Sequence, residues 1–147
     1  MLNKIIKKEG GFTLLELLIV IVIIGILALL IIPTITSAPK KARDTKRKTD
    51  ITTVRKGLEE YFVNNNVYPA ALSDLTTGSA PIIKTLPTDP KNVSPFVYTY
   101  TPANSNTTYT LSACLENDQD AGDSVIAPAS SNNTSCTTKV FQLANGN

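Results

Sequence analysis

Twenty-one consecutive residues, Phe12 to Ile32, contain only two polar side chains, Thr13 and Glu16. At about 1.5 Å per residue the run makes a helix of about 31 Å, against a hydrocarbon core of about 30 Å. A chain of 147 residues has room for about one ordinary domain beside such a helix. A two-domain enzyme is thereby excluded. Lys4, Lys7 and Lys8 precede the run as they would in a secretory signal. Ordinary signals, however, have an apolar core of only about 7 to 15 residues and a small-residue cut site behind it. Here the nearest such site, Ser37-Ala38, is followed by Pro39, a poor residue just past a scissile bond. The apolar helix is therefore expected to be retained.

Outside this run the chain is polar and its charge is unevenly placed. Eight cations (Lys40, Lys41, Arg43, Lys46, Arg47, Lys48, Arg55, Lys56) face two carboxylates, Asp44 and Asp50, between residues 40 and 56. From residue 57 onward three lysines face eight carboxylates. A basic stem and an acidic body suit either head-to-tail stacking on copies of the same chain or two solvated faces. The basic stretch lacks the interleaved aromatics of a nucleic-acid surface, so no nucleic acid is expected as a partner. Histidine and tryptophan are both absent, which removes imidazole bases, His-ligated metals and Ser-His or Cys-His nucleophile pairs. No catalytic residue is expected, and the chain reads as a non-enzyme. Cys114 and Cys136 lie in Ser-, Asn- and Thr-rich sequence that would hardly bury two free thiols. A disulfide between them, and hence an oxidising compartment, is expected over a reduced cytosolic pair.

Gly10-Gly11-Phe12-Thr13-Leu14-Leu15-Glu16 joins the short basic leader to the apolar run. This segment closely resembles the class III signal of bacterial type IV pilins and type II secretion pseudopilins. The resemblance implies cleavage after Gly11 by a membrane-embedded prepilin peptidase and N-methylation of the new amino terminus on Phe12. It also implies that Glu16, Gly25 and Pro33 serve assembly, Glu16 as a charge and the other two as positions that loosen the helix. The positive-inside rule points the other way, because Lys40 to Lys48 hold more cations than the leader. It carries less weight here, since large domains translocate largely regardless of charge and the cysteine pair favours the outside.

Beyond Pro33 the pattern stays helical to about Asn66. Ile51, Val54, Leu58, Tyr61 and Phe62 recur at helical spacing and leave one apolar stripe for a sheet to cover. Pro33 and Pro39 are expected to bend or locally unwind a rod of about 55 residues, on the order of 80 Å. Asn64-Asn65-Asn66 is a plausible stop. From Val67 turn residues take over, with strand candidates at Phe96 to Thr101, Thr108 to Glu116 and Thr138 to Leu143. Two stretches add to the resemblance and point to the major pseudopilin of type II secretion. One is Leu58-x-x-Tyr61 with Tyr68-Pro69, and the other is Leu86-Pro87-Thr88-Asp89-Pro90 before Tyr98-Thr99-Tyr100.

Major pseudopilins of that kind generally bind calcium in a C-terminal loop without a disulfide, whereas major type IV pilins often staple such a loop with one. This chain carries features of both. Glu116, Asp118, Asp120 and Asp123 fall within eight residues, with Asn117 and Gly122 among them and Ser124 next to them. That composition suits a Ca²⁺ loop, with Asp118, Asp120 and Asp123 as ligands, or a solvated acidic surface. It does not follow the EF-hand spacing.

The sequence thus predicts an α+β, type IV pilin-like fold, a long N-terminal transmembrane helix packed by its C-terminal half on a small antiparallel β-sheet head. The expected parts are a cleaved leader (1–11), a transmembrane and filament-core half of the helix (12–33), an amphipathic half (34–66) and a globular head with a disulfide loop (67–147). The expected function is a structural subunit of a type IV pilus. A type II secretion or competence pseudopilin forming a short filament is the first alternative, and a membrane-tethered extracellular binding module is the second. Partners would be further copies in a helical filament, the prepilin peptidase and the assembly platform in the membrane. The subunit would sit in the cytoplasmic membrane with its head outside before assembly, and in a surface or periplasmic filament afterwards.

Overall fold

Thr13 and Glu16 set the start of the long helix. The Thr13 backbone N–H and hydroxyl donate to Glu16 Oε2 at 2.9 and 2.8 Å, while the Glu16 N–H donates to Thr13 Oγ1 at 3.2 Å. This reciprocal capping satisfies donors that a helix leaves open at its first turn. Helix α1 then runs over Leu14–Asn65. The computed structural model describes residues 11–145, and the side chains of 30–36 lie outside the description. The chain divides into two units, the first ending at Ser37 and the second spanning Ala38–Asn147.

The backbone stays helical through Pro33 and Pro39, so of the expected bend or local unwinding the unwinding does not occur. Each proline removes one donor, and the helical bonds of the flanking turns persist. At the other end the Asn66 N–H donates to the Phe62 carbonyl at 2.7 Å and Asn66 takes φ 58°. An asparagine in the left-handed region closes a helix at little cost, so the chain turns away here.

The second unit is built on the stripe that the helical spacing picks out. Ile51, Val54 and Leu58 are buried, with Tyr61 and Phe62 packed at the edge of the same core. A short 3₁₀ turn over Leu72–Thr76 adds Leu75, also fully buried. Gly57 lets the following loop come close, since a Cβ there would lie 2.6 Å from Ile83 Cδ1.

Four strands cover the stripe: β1 Thr99–Ala103, β2 Thr108–Cys114, β3 Val125–Ile126 and β4 Val140–Asn145. Their order is β1-β2-β4-β3, and every pairing is antiparallel. Tyr109, Leu111 and Ala113 alternate along β2 and join the helix core, with Leu111 opposite Tyr100 on one side and Leu143 on the other. The intervening Ser112 and Cys114 are buried as well, because the segment between β2 and β4 folds back over that face. Asn132 in this segment accepts from the Ser112 hydroxyl at 2.8 Å and donates to Thr101 Oγ1 at 3.0 Å. Cys114 and Cys136, 22 residues apart, are joined by a disulfide that makes a second small core with Val140, Phe96 and Ile126.

The fold is therefore α+β, with a helix on a small antiparallel sheet. The edges differ from expectation in register. β1 starts at Thr99, since residues 93 to 96 close a tight turn through the Phe96 N–H and the Val93 carbonyl at 2.7 Å. β3, with two residues, is too short to show an alternating pattern.

Candidate assembly site

Two regions carry the unusual chemistry. The first is the start of α1. From Leu14 to Leu29 the apolar side chains are exposed on every face, with Phe12 89% and Leu14 82% exposed. A helix apolar all round is stable in water only when something else covers it, whether lipid or further helices. Among the described residues no helix is long and apolar enough to cross a membrane. Their side chains are described as far as Leu29, and in the sequence the run continues to Ile32.

Glu16 has a local partner that the sequence reading missed. Threonine followed three residues later by glutamate, just before an apolar run, is a capping pattern, and it was legible in Thr13-Leu14-Leu15-Glu16. Both bonds go to Oε2, and among the described residues no donor reaches Oε1. Gly11 and Phe12 stand exposed just before the helix. Gly25 lies in the helical run, and a Cβ there would meet nothing within 4 Å. The side chain of Pro33 and leader residues 1–10 lie outside the described residues.

The second region is a buried charge cluster that sequence spacing did not reveal. Arg47 is fully buried, an uncommon place for its charge. Its Nη1 donates to Asp44 Oδ1 at 2.7 Å and Glu116 Oε1 at 2.8 Å. Its Nε and Nη2 form a fork on Asp89 at 2.6 and 3.0 Å. Three segments thus converge on one guanidinium: helix α1, the loop before β1, and the residues after β2. Asp44 also accepts the backbone N–H groups of Glu116 and Asn117 at 2.9 Å each. Asp89 accepts the Lys91 N–H at 2.8 Å. Around them, Arg43 forks onto Glu116 at 2.6 and 2.7 Å, and Lys91 reaches it at 2.8 Å. Phe96 lies under both Arg47 and Lys91, with 4.8 and 4.5 Å from the charges to the ring centre. Planar guanidinium geometry suits bidentate carboxylate pairing together with ring stacking.

The basic stem and acidic body are thus partly neutralised inside one chain. Of the eight cations between residues 40 and 56, Arg43, Lys46, Arg47 and Lys48 form ion pairs within the molecule. Asp118, Asp120 and Asp123, expected as candidate Ca²⁺ ligands, do not converge. Among the described residues no group of three Asp, Glu, Cys or His side chains is arranged to hold a metal. Asp120 is taken by Lys48 at 2.7 Å and by the Gly122 N–H at 3.1 Å, while Asp118 and Asp123 are exposed. Ca²⁺ needs about six to eight oxygen ligands, and the carboxylates of this loop do not supply such a set by themselves.

Charge-assisted bonds from Arg43 first, and from Lys91 and Arg47 against the effect of burial, hold the Glu116 carboxyl well below the usual carboxylate range. A carboxylate depressed in the folded state stabilises the fold above its unfolded value of about 4.5, and that contribution fades as the pH falls below it. Native protein should accordingly lose melting temperature steeply below about pH 4.5, with a shallower acid limb in Glu116→Gln. Parallel acid limbs for the two proteins in thermal melts would show that Glu116 does not set acid stability.

Comparison with known proteins bears on the start of the chain and on its relatives. Residues 6–32 match the family described as the prokaryotic N-terminal methylation motif. The chain is similar to type II secretion system core protein G of Vibrio cholerae, 38% identical over 88 residues, or 60% of this chain and 57% of that protein. It is similar to the protein of the same name from Pseudomonas aeruginosa, 39% identical over 47% of this chain and 49% of that one. A third such relative, from Aeromonas hydrophila, is 43% identical over 43% of this chain and 44% of its own length. The chain spans about half the length of the curated relatives it matches. These names agree with the pseudopilin alternative better than with the pilus reading.

Proposed function

We propose that this chain is a structural subunit of a type II secretion pseudopilus, a short filament raised from the membrane into the periplasm. It is not an enzyme. The observation that carries the reading is the joint occurrence of the methylation motif over residues 6–32 and the secretion name of relatives matched over up to 60% of the chain. On this reading the leader (1–11) is removed after Gly11 and Phe12 is methylated. Residues 12–33 hold the subunit in the cytoplasmic membrane and then pack in the filament core with Gly25 and Pro33. Residues 34–66 carry the amphipathic half of the helix, and 67–147 the outward head. The prepilin peptidase and the membrane assembly platform are its partners. Lys40, Lys41, Arg55 and Lys56 are exposed and unpaired among the described residues, as are Glu60, Asp118 and Asp123. These two sets are complementary for contacts between neighbouring heads.

A surface type IV pilus remains the second reading, favoured by the Cys114–Cys136 bond. Imaging separates the two: filaments in sheared surface material mark a pilus, and filaments confined to the periplasm mark a pseudopilus.

Processing tests the common ground. A peptidase that closes on the Gly10-Gly11 backbone leaves no room for a branched side chain, so Gly11→Val should accumulate as the uncut precursor and yield no filament. Intact-mass measurement of the native protein should find a methylated Phe12 terminus. A mature terminus elsewhere removes the pilin-type assignment.

A further inference from the structure

The acidic side chains that gather on the head are already supplied with cations by the chain itself. Asp44, Asp89, Glu116 and Asp120 are the four carboxylates held in or beside the cluster, and Arg43, Arg47, Lys48 and Lys91 are the four cations on them. Carboxylates removed from water require a counter-charge, which can be an ion or a side chain. Arg47 occupies the point where three of them converge. It binds Asp44, Asp89 and Glu116 from three separate segments through contacts of 2.6 to 3.0 Å. A divalent ion would tie segments together in the same way, by drawing oxygen ligands to one centre. With the charges already matched, a further doubly positive ion has nothing to neutralise there. The exposed Asp118 and Asp123 by themselves offer too few ligands. The loop is closed covalently as well, by Cys114 and Cys136.

We propose that Arg47 is a built-in cation of this head, so that the head keeps its fold without calcium and does not respond to it. This departs from what the resemblance to major pseudopilins implies. The two designs differ in an observable way. A bound ion stabilises in proportion to the logarithm of its concentration, whereas a covalently attached guanidinium contributes the same at every ion concentration.

The test uses the full chain in detergent micelles. All five tyrosines lie within residues 61 to 109, so near-ultraviolet circular dichroism reports melting of the head. Native protein should melt at the same temperature in millimolar Ca²⁺ and in chelator. Arg47→Met should melt far lower in both. A native melting temperature several degrees higher in Ca²⁺ than in chelator would overturn the proposal, as would an Arg47→Met variant as stable as the native chain. Should Arg47→Met fail to fold, Arg47→Lys decides. It keeps the charge and loses the fork, and is expected to melt below the native protein with no response to Ca²⁺. Arg47→Lys melting like the native chain, or recovering in Ca²⁺, sinks the assignment. Because the readout is melting of the head, it is independent of whether the subunit forms a pilus or a pseudopilus.

Discussion

Glu16→Ala is expected to insert into the membrane, to be largely cleaved after Gly11, and to form no filaments by itself. On the proposed processing, cleavage after Gly11 would create a cationic amine on Phe12, and methylation would leave it charged. In a filament core made of apolar helices that amine is costly without a partner. On the proposed assembly Glu16 of the same or a neighbouring subunit would supply one, through Oε1, which has no donor among the described residues while Oε2 holds the Thr13 cap. The structure shows the capping role alone, the counter-ion role belongs to the proposed assembly, and a second variant separates them. Glutamine can complete the same capping box but brings no charge. Glu16→Gln should fail in assembly nearly as badly as Glu16→Ala if the amine needs a counter-ion. The readouts are the precursor-to-mature ratio by blot and filament yield after shearing, on one strain. Wild-type filament yield from Glu16→Gln would mean that capping alone explains the glutamate.

Asp44→Ala is expected to cost about 3 to 5 kcal/mol, the range for breaking a buried ion pair by removing one partner. Asp44 is 1% exposed, and its loss strands one bond of Arg47 together with the backbone N–H groups of Glu116 and Asn117. For a head of this size the melting temperature should fall by roughly 10 °C or more. Asp44→Asn keeps an acceptor for the N–H groups and should recover part of the loss. A head of native stability in Asp44→Ala would show that the cluster contributes packing rather than charge compensation.

What was legible in the sequence follows from which physics is local. The apolar run, the stripe Ile51, Val54 and Leu58, and the asparagine stop are set by neighbours a few residues away, and period and composition expose them. The N-terminal motif is contiguous, so Gly11, Phe12 and Glu16 could be singled out at once. The charge cluster was not legible. Arg47 and Asp44 are three apart, an ordinary spacing on any solvated helix, while Asp89 and Glu116 lie 42 and 69 residues from Arg47. Only the fold brings them together, and a count of charges along the chain reads them as a basic stem facing an acidic body. The sparse arrangement of the acidic loop was hidden for the same reason. Density of carboxylates in sequence is local, but whether Lys48 already holds Asp120 depends on how the loop returns to the helix.

The arrangement around Arg47 has a mechanical meaning. In any filament whose subunits are gripped by their helices, force on a head has to cross from the sheet and loops into the helix. Here that crossing is bridged by Arg47 and Arg43 on one side and by Asp89 and Glu116 on the other. Sliding the helix beneath the sheet would load these bonds side by side, so they resist as a group, unlike a zipper that opens one tooth at a time. In such a filament the cluster would act as a rivet against shear, set where pulling or pushing on the outer end of the subunit would otherwise slide the sheet along the helix.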